Sequence, residues 1–260
     1  MLSLFLLLAA IAAILLTEPL MLTTERKTLA APESLCGLKL VYASDLHGGG
    51  SVSLQRIESL VKKINAEKPD IILLGGDFAD NAEDAAGVFS RLSRLRAPYG
   101  IFAVRGNHDA SYDITTLMRE AGITPCNNEG YWVKYGEGRL RILGVDDYII
   151  GETDAIPALG DAAEEDFTLL LCHNPLSVAE VAEQVGAERI DYALCGHTHG
   201  GQVTLLGLWG PLGDRAFPAY SSQWVTKSGI MTLYSNGVGT TALPLRFMAP
   251  PQYHVLTLGS

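Results

Sequence analysis

Apolar positions recur along this chain with three different periods, and the changes of period divide it. Leu2 to Leu16 is apolar at every position except Ser3, and Thr17, Glu18 and Pro19 then lead into Leu20, Met21 and Leu22. As a helix the clean part reaches about 22 Å against roughly 30 Å of bilayer hydrocarbon. Extension through Leu22 supplies the length and places Glu18 and Pro19 near its end. Residues 1–22 therefore read as a membrane anchor or an uncleaved signal-like segment. A cleaved signal peptide is the competing reading, but no Lys or Arg precedes the run and no clean A-x-A site follows it. Arg26 and Lys27 come just after, which by the positive-inside bias predicts a single-pass anchor with the rest of the chain on the cytoplasmic side.

Thr23 to Leu35 is polar, contains Pro32 and Ser34, and reads as a linker over 23–35. From residue 36 to 260 short apolar runs alternate with amphipathic stretches. Strand-type runs are Leu38 to Ala43, Asp70 to Leu74 and Gly100 to Val104. Between them, Ser53 to Ala66 carries Leu54, Ile57, Leu60, Val61 and Ile64 at helical spacing, and Asn81 to Leu95 reads as a second helix. Beyond, Tyr131 to Tyr135 and Arg139 to Val145 flank Gly136-Glu137-Gly138 as a hairpin. Phe167 to Cys172 is a strand, and Pro175 starts a helix through about Gln184. Ile190 to Leu194, Ile230 to Tyr234 and Tyr253 to Leu258 are again β-like. The pattern predicts one α/β domain with a four-layer α-β-β-α sandwich, two mixed sheets face to face and flanked by helices.

Composition changes this picture little. The apolar and charged fractions, 48% and 18%, are those of a folded protein. A net charge of -10 disfavours nucleic acid as a partner, because phosphate-backbone binding needs clustered Lys and Arg. Cys36, Cys126, Cys172 and Cys195 are scattered without C-x-x-C spacing, and they read as small apolar core residues rather than a metal ribbon or a disulfide framework.

The chemistry gathers at strand ends. Five of the six histidines follow predicted strands, in Asp45-Leu46-His47, Asn107-His108-Asp109, His173 and His197-Thr198-His199, and Asp77 follows a further strand. That edge of an open α/β sheet is where ligands bind. Imidazole, carboxylate and amide oxygen together suit divalent manganese, zinc or iron. An extended backbone points residues i and i+2 to one side, so each two-apart pair is expected to face one cavity and Cys172 to turn away from His173. Neighbouring glycines are expected to allow close backbone approach and positive φ. Two divalent ions set against Asp45, Asp77 and one hydroxide leave a net charge of about +1, which suits a phosphodiester anion attacked by a metal-activated water.

D-x-H, G-G-D, G-N-H-D, an isolated His after a strand and G-H-T-H occur here in that order over Leu38 to the C-terminus. Together they resemble the calcineurin-like metallophosphoesterase family. The resemblance implies a metal-dependent phosphoesterase with two divalent metal ions. Asp45, His47, Asp77 and His199 would hold the first ion; Asp77 would bridge to the second, completed by Asn107, His173 and His197. It implies that His108 protonates the leaving group, with Asp109 orienting His108. Gly196 to Gln202, Asn236-Gly237-Val238-Gly239 and Leu243 to Phe247 look like the small bacterial membrane-anchored phosphodiesterase branch. That implies residence at the bacterial cytoplasmic membrane and a place in lipid metabolism, on a substrate such as UDP-2,3-diacylglucosamine. The chain departs from that branch at Pro250-Pro251-Gln252-Tyr253-His254, where an acidic residue after proline is usual.

Two further expectations concern the tail. His254, inside the last strand, reads as structural. Val203 to Ser228, with Leu205, Leu206, Leu208, Trp209, Phe217, Tyr220 and Trp224, reads as a loop beside the metals, either a greasy rim for a lipid-linked phosphodiester or pyrophosphate or ordinary packing. The alternatives to diester hydrolysis are a phosphomonoesterase acting on nucleotides or phosphoproteins, and a catalytically silent scaffold.

Overall fold

The computed structural model describes residues 2–204 and 223–259. An N-terminal helix α1 (Leu2–Thr17) is followed by β1 (Thr23–Ala30), β2 (Lys39–Ala43), α2 (Leu54–Ala66), β3 (Ile71–Leu74), α3 (Ala82–Leu92) and β4 (Ile101–Ala103). Next come α4 (Ile114–Glu120), β5 (Thr124–Pro125), β6 (Glu129–Tyr135), β7 (Gly138–Gly144), α5 (Ala155–Leu159) and β8 (Phe167–Leu171). The described chain closes with α6 (Ser177–Val185), β9 (Tyr192–Cys195), β10 (Gln223–Lys227), β11 (Ile230–Tyr234) and β12 (Gln252–Gly259).

The strands form two six-stranded sheets, in the orders β1-β12-β2-β3-β4-β5 and β10-β11-β9-β8-β7-β6. Both are mixed. In the first, β12 runs antiparallel to β2 while β2, β3, β4 and β5 are mutually parallel. In the second, the β6–β7 and β10–β11 hairpins flank parallel β7, β8, β9 and β11. The unbroken apolar runs of the central strands follow from this layering, since each strand is covered on both faces. Leu40, Tyr42, Ile71 and Leu73 face the second sheet, whereas Val41, Ala43, Ile72 and Leu74 face α2 and α3. Leu169 and Leu171 likewise meet the first sheet, while Leu170 and Cys172 pack with α5 and α6. This is the predicted four-layer sandwich.

Two expectations fail. Much of the supposed linker is not one: Thr23–Ala30 pairs in parallel with β12 from Thr23↔Gln252 to Ala30↔Gly259. Its alternation is weak because β1 is an edge strand with only Leu29 fully buried, so the sequence shows no clean period of two. The second failure is Trp224, which lies on β10 rather than in a loop beside the metals. Its ring meets Tyr192 edge-on at 5.8 Å between centroids, with the Lys27 ammonium 5.2 Å from its own centroid. Leu205, Leu206, Leu208, Trp209, Phe217 and Tyr220 lie outside the described residues.

Leu73 has no solvent exposure and sits between the two sheets. Leu73→Ala is expected to lower unfolding free energy by about 2–5 kcal/mol, read by urea denaturation.

Candidate metal centre

Asp45, His47, Asp77, Asn107, His108, Asp109, His173, His197 and His199 all stand at one edge of the sandwich. Asp45 and His47 follow β2, Asp77 follows β3, and Asn107, His108 and Asp109 follow β4. The second sheet supplies His173 after β8, and His197 and His199 after β9. Parallel strands with helical crossovers put these C-terminal ends side by side, which is why residues distant in the chain meet.

Seven of these side chains form an unbroken series of close approaches. Asp45 Oδ1 is 3.6 Å from His199 Nε2, which is 3.1 Å from His47 Nε2. His47 Nε2 is 3.6 Å from Asp77 Oδ2, and the same oxygen is 3.3 Å from His173 Nε2. His173 Nε2 is 3.2 Å from Asn107 Oδ1 and 3.3 Å from His197 Nδ1, with Asn107 Oδ1 to His197 Nδ1 at 2.9 Å. Donor atoms about 2.0–2.2 Å from a shared divalent ion stand about 3.0–3.6 Å from one another, so these spacings are those of ligand sets. Asp77 lies in the middle of the series, between the Asp45–His47–His199 group and the Asn107–His173–His197 group.

Three further observations fit cations here. Asp45 Oδ2 is buried with no hydrogen-bond partner, a position that a neutral polar core does not tolerate. Asp77 is buried, which pushes its carboxyl up, yet His173, His47 and His108 outweigh burial and hold it well below the usual carboxylate range. His199 is pushed well down by burial and then by His47 and Arg246, leaving its ring neutral and able to ligate.

The backbone is bent to present these groups. Asp45, His47, Asp77, His197 and His199 have φ of 53°, 43°, 54°, 67° and 50°. The extended i, i+2 alternation expected for Asp45/His47 and His197/His199 is therefore not how they converge. These five residues themselves take left-handed conformations, each costing about 1–2 kcal/mol for an L-residue. Their partners at i+2 also diverge: His199 joins Asp45 and His47, whereas His197 joins Asn107 and His173. Gly76 does match the expectation, with φ +89° and a position where a Cβ would come 2.5 Å from the Gly106 nitrogen.

Asp109 departs from its expected role. Its carboxylate accepts from the backbone N–H groups of Asp77, Phe78 and Gly106 and from the Tyr112 hydroxyl, rather than from His108. Burial, and then the nearby Asp77, push it up to about 6. It staples the loop after β3 to the loop after β4. The carboxylate beside His108 is instead Asp80, with Oδ1 3.8 Å from His108 Nδ1 and 2.5 Å from His47 Nδ1. Asp80 was legible as the last residue of Gly75-Gly76-Asp77-Phe78-Ala79-Asp80, but no strand-end rule selects a residue that far into a loop. His108 itself is 37% exposed and stands edge-on to His47 at 4.9 Å.

Arg246 falls within the Leu243 to Phe247 run singled out in the sequence, but its place at the site was not read from it. Fully buried, its guanidinium donates to the carbonyls of Asn236, Gly239, Ala249 and His199. Burial brings it down to about 10, with Asp45 and Glu18 opposing that shift. His254 is buried in β12 against Ser235 and Gln252, and burial alone takes it down to about 3. Cys172 and Cys195 are free thiols in the core, with sulfurs 3.2 Å apart.

Comparison with known proteins gives this arrangement its family. The calcineurin-like phosphoesterase profile matches residues 38–201, from β2 through the His197–His199 loop. The chain belongs to the calcineurin-like phosphoesterase family. It is 31% identical over 255 residues to the uncharacterized metallophosphoesterase YkuE of Bacillus subtilis, covering 94% of this chain and 87% of that one. Among solved structures, TT1561 of Thermus thermophilus superposes with a TM-score of 0.51 at 16% identity, over 78% of this chain and 90% of that one. A dimetal phosphatase from Danio rerio superposes at 0.50 and 11% identity, over 78% and 88%. Both show the same fold. As a member of this family the chain is a metal-dependent phosphoesterase, and the family uses a dinuclear metal centre.

In the metal-free protein, burial lowers His173 while Asp77 overrides it and raises the imidazole well above its ordinary value, so a proton must leave as a cation enters. Metal loading is therefore expected to release protons near neutral pH and to weaken as pH falls. Calorimetric titrations with manganese in buffers of different ionisation enthalpy check this. Chelation is expected to lower the melting temperature, since cations bind the folded state.

Proposed function

We propose that this phosphoesterase cleaves phosphodiester or pyrophosphate bonds at two divalent cations. Asp45, His47, Asp77 and His199 hold one; Asp77, Asn107, His173 and His197 hold the other. The observation that carries the reading is Asp77 Oδ2 standing 3.6 Å from His47 and 3.3 Å from His173, the position of a bridging carboxylate. When bound, the cations supply Lewis-acid polarisation of the phosphoryl oxygens and activation of the attacking water.

The chain's own groups do the rest. His108, half-exposed at the rim, donates a proton to the leaving oxygen. Asp80 orients the rings of His108 and His47 from one carboxylate. Among the described residues, the charges at hand favour a phosphoryl group with one negative charge, as in a diester or a substituted pyrophosphate, over a dianionic monoester. Arg105, beside Gly106 and Asn107, is paired with Asp146 at 2.5 and 2.6 Å, and Arg246 is buried among carbonyls. Neither guanidinium is presented to a second negative charge on the phosphoryl group under attack.

On this reading α1 is a retained membrane anchor, and the substrate is lipid-linked, such as UDP-2,3-diacylglucosamine. Ser3–Leu20 has a mean hydropathy of 2.2 and is almost wholly exposed. The topological argument from Arg26 and Lys27 loses force. Arg26 pairs with Glu67 at 2.8 Å and Lys27 covers Trp224, so both charges belong to the fold of β1.

The test is turnover of a bis-aryl phosphodiester, a UDP-linked lipid pyrophosphate and an aryl phosphomonoester at fixed manganese. The diester or pyrophosphate is expected to lead by at least about tenfold in kcat/KM, 1.4 kcal/mol of transition-state preference. A monoester lead of that size overturns the substrate class.

His108→Ala is expected to retain both metals and lower kcat by about 10²–10⁴. Asp80→Asn is expected to lower kcat with little change in KM, and the double variant to fall no further than His108→Ala. Additive losses in the double-mutant cycle would separate Asp80 from His108.

A further inference from the structure

The base of α1 is bonded to the loop that also supports the metal centre. Glu18 is buried, and its carboxylate accepts from the backbone N–H groups of Met248 and Ala249 at 3.0 and 2.7 Å. The Leu15 carbonyl accepts from the Arg246 N–H at 3.2 Å, and the Arg56 guanidinium donates to the Pro19 carbonyl. No slack chain follows, because the Thr23 N–H meets the Pro251 carbonyl at 2.8 Å and β1 begins there.

The opposite side of the same loop is fastened to His199. Gln202, whose N–H bonds the His199 carbonyl, donates its side-chain amide to the carbonyls of Thr241 and Leu243 and accepts from the Thr241 N–H. Arg246 passes through the middle, binding the carbonyls of Asn236 and Gly239. The Gly239 N–H in turn bonds the Asp45 carbonyl, and a Cβ on Gly237 would come 2.6 Å from that of Asp45. Helix base, loop 240–249 and metal-bearing loops are thus one bonded unit.

That unit presents apolar side chains outward. Leu20 and Met21 at the helix base and Leu243 and Met248 on the loop are all exposed. They extend the apolar surface of α1 onto the catalytic body. A bilayer suits this surface better than a protein groove. Leu4, Phe5, Leu6, Leu7 and Leu8 are exposed at five consecutive positions, so α1 is apolar around its whole circumference rather than along one stripe.

We infer that Leu20, Met21, Leu243 and Met248 form a membrane-contacting collar that seats the domain on the lipid surface with its His199 edge beside the headgroups. The inference rests on the reading of α1 as an anchor and deepens it. The anchor does not tether a freely tumbling enzyme but fixes which edge meets the lipid. A phosphate ester held in the plane of the membrane then reaches the metals without leaving it, whereas a soluble ester gains nothing from the arrangement.

The test uses the full chain in phosphatidylethanolamine and phosphatidylglycerol vesicles containing lipid-borne quenchers. In a Cys36→Ser background, an environment-sensitive fluorophore is placed at Ala10→Cys on α1, at Leu243→Cys and Met248→Cys on the collar, and at Lys134→Cys on the exposed face of β6. Quenching and a blue shift at positions 10, 243 and 248 but not 134 is the expected result. Quenching at 10 alone overturns the collar while leaving the anchor standing. No quenching at 10 overturns the anchor and the collar together. The four labelled positions are exposed and Cys36 is only partly buried, and a circular dichroism melt of each variant confirms that it folds.

Discussion

Two carboxylates, those of Asp45 and Asp77, are buried at the meeting edge of two sheets, and the surrounding structure is organised by the cost of keeping them charged there. A carboxylate in a protein interior is tolerated only when paired, hydrogen-bonded or bound to a cation. Asp45 Oδ1 accepts from the His197 N–H at 2.9 Å and Asp77 Oδ1 from the His108 N–H at 2.9 Å. Their other oxygens face away from backbone donors: Asp45 Oδ2 has no partner, and Asp77 Oδ2 looks into imidazoles. Five backbone residues in left-handed conformations hold this arrangement at a cost in strain.

The rest of the sandwich serves to keep that edge in place. Each sheet contributes part of the donor set, so the inter-sheet core of Leu40, Tyr42, Leu73, Leu169 and Leu194 fixes the separation of the two groups. Asp109 ties the loops after β3 and β4 together from behind, and His173 Nδ1 reaches across to the Gly75 carbonyl at 2.7 Å, joining the second sheet to the first. Arg246 carries the same rigidity outward to the base of α1. The loops around Asp45 and His199 and the base of α1 thus depend on a common set of bonds.

Much of this was legible in the sequence, and the exceptions have physical reasons. The central strands and α2, α3 and α6 were readable because both-face burial gives continuous apolar runs and one-face burial gives helical spacing. β1 was hidden because an edge strand needs little apolar alternation, and β10 because Trp224 sits among residues rich in glycine and proline. The seven side chains that converge at the sandwich edge were selected by type and by position after strands. Their mode of convergence was not legible, since an L-residue at positive φ leaves no trace in composition. Asp109 was misread because an Asp next to a histidine in sequence need not face it in space. Asp80 and Arg246 act from loops, where no periodicity marks a position.

The central claim is that the seven side chains enclose two cations bridged by Asp77. The most direct measurement is anomalous scattering from crystals grown with manganese, joined to metal analysis of the same preparation. Two peaks per chain, one among Asp45, His47 and His199 and one among Asn107, His173 and His197, both within ligand distance of Asp77, are predicted. A single peak, or a pair that leaves Asp77 uncoordinated, would contradict the account.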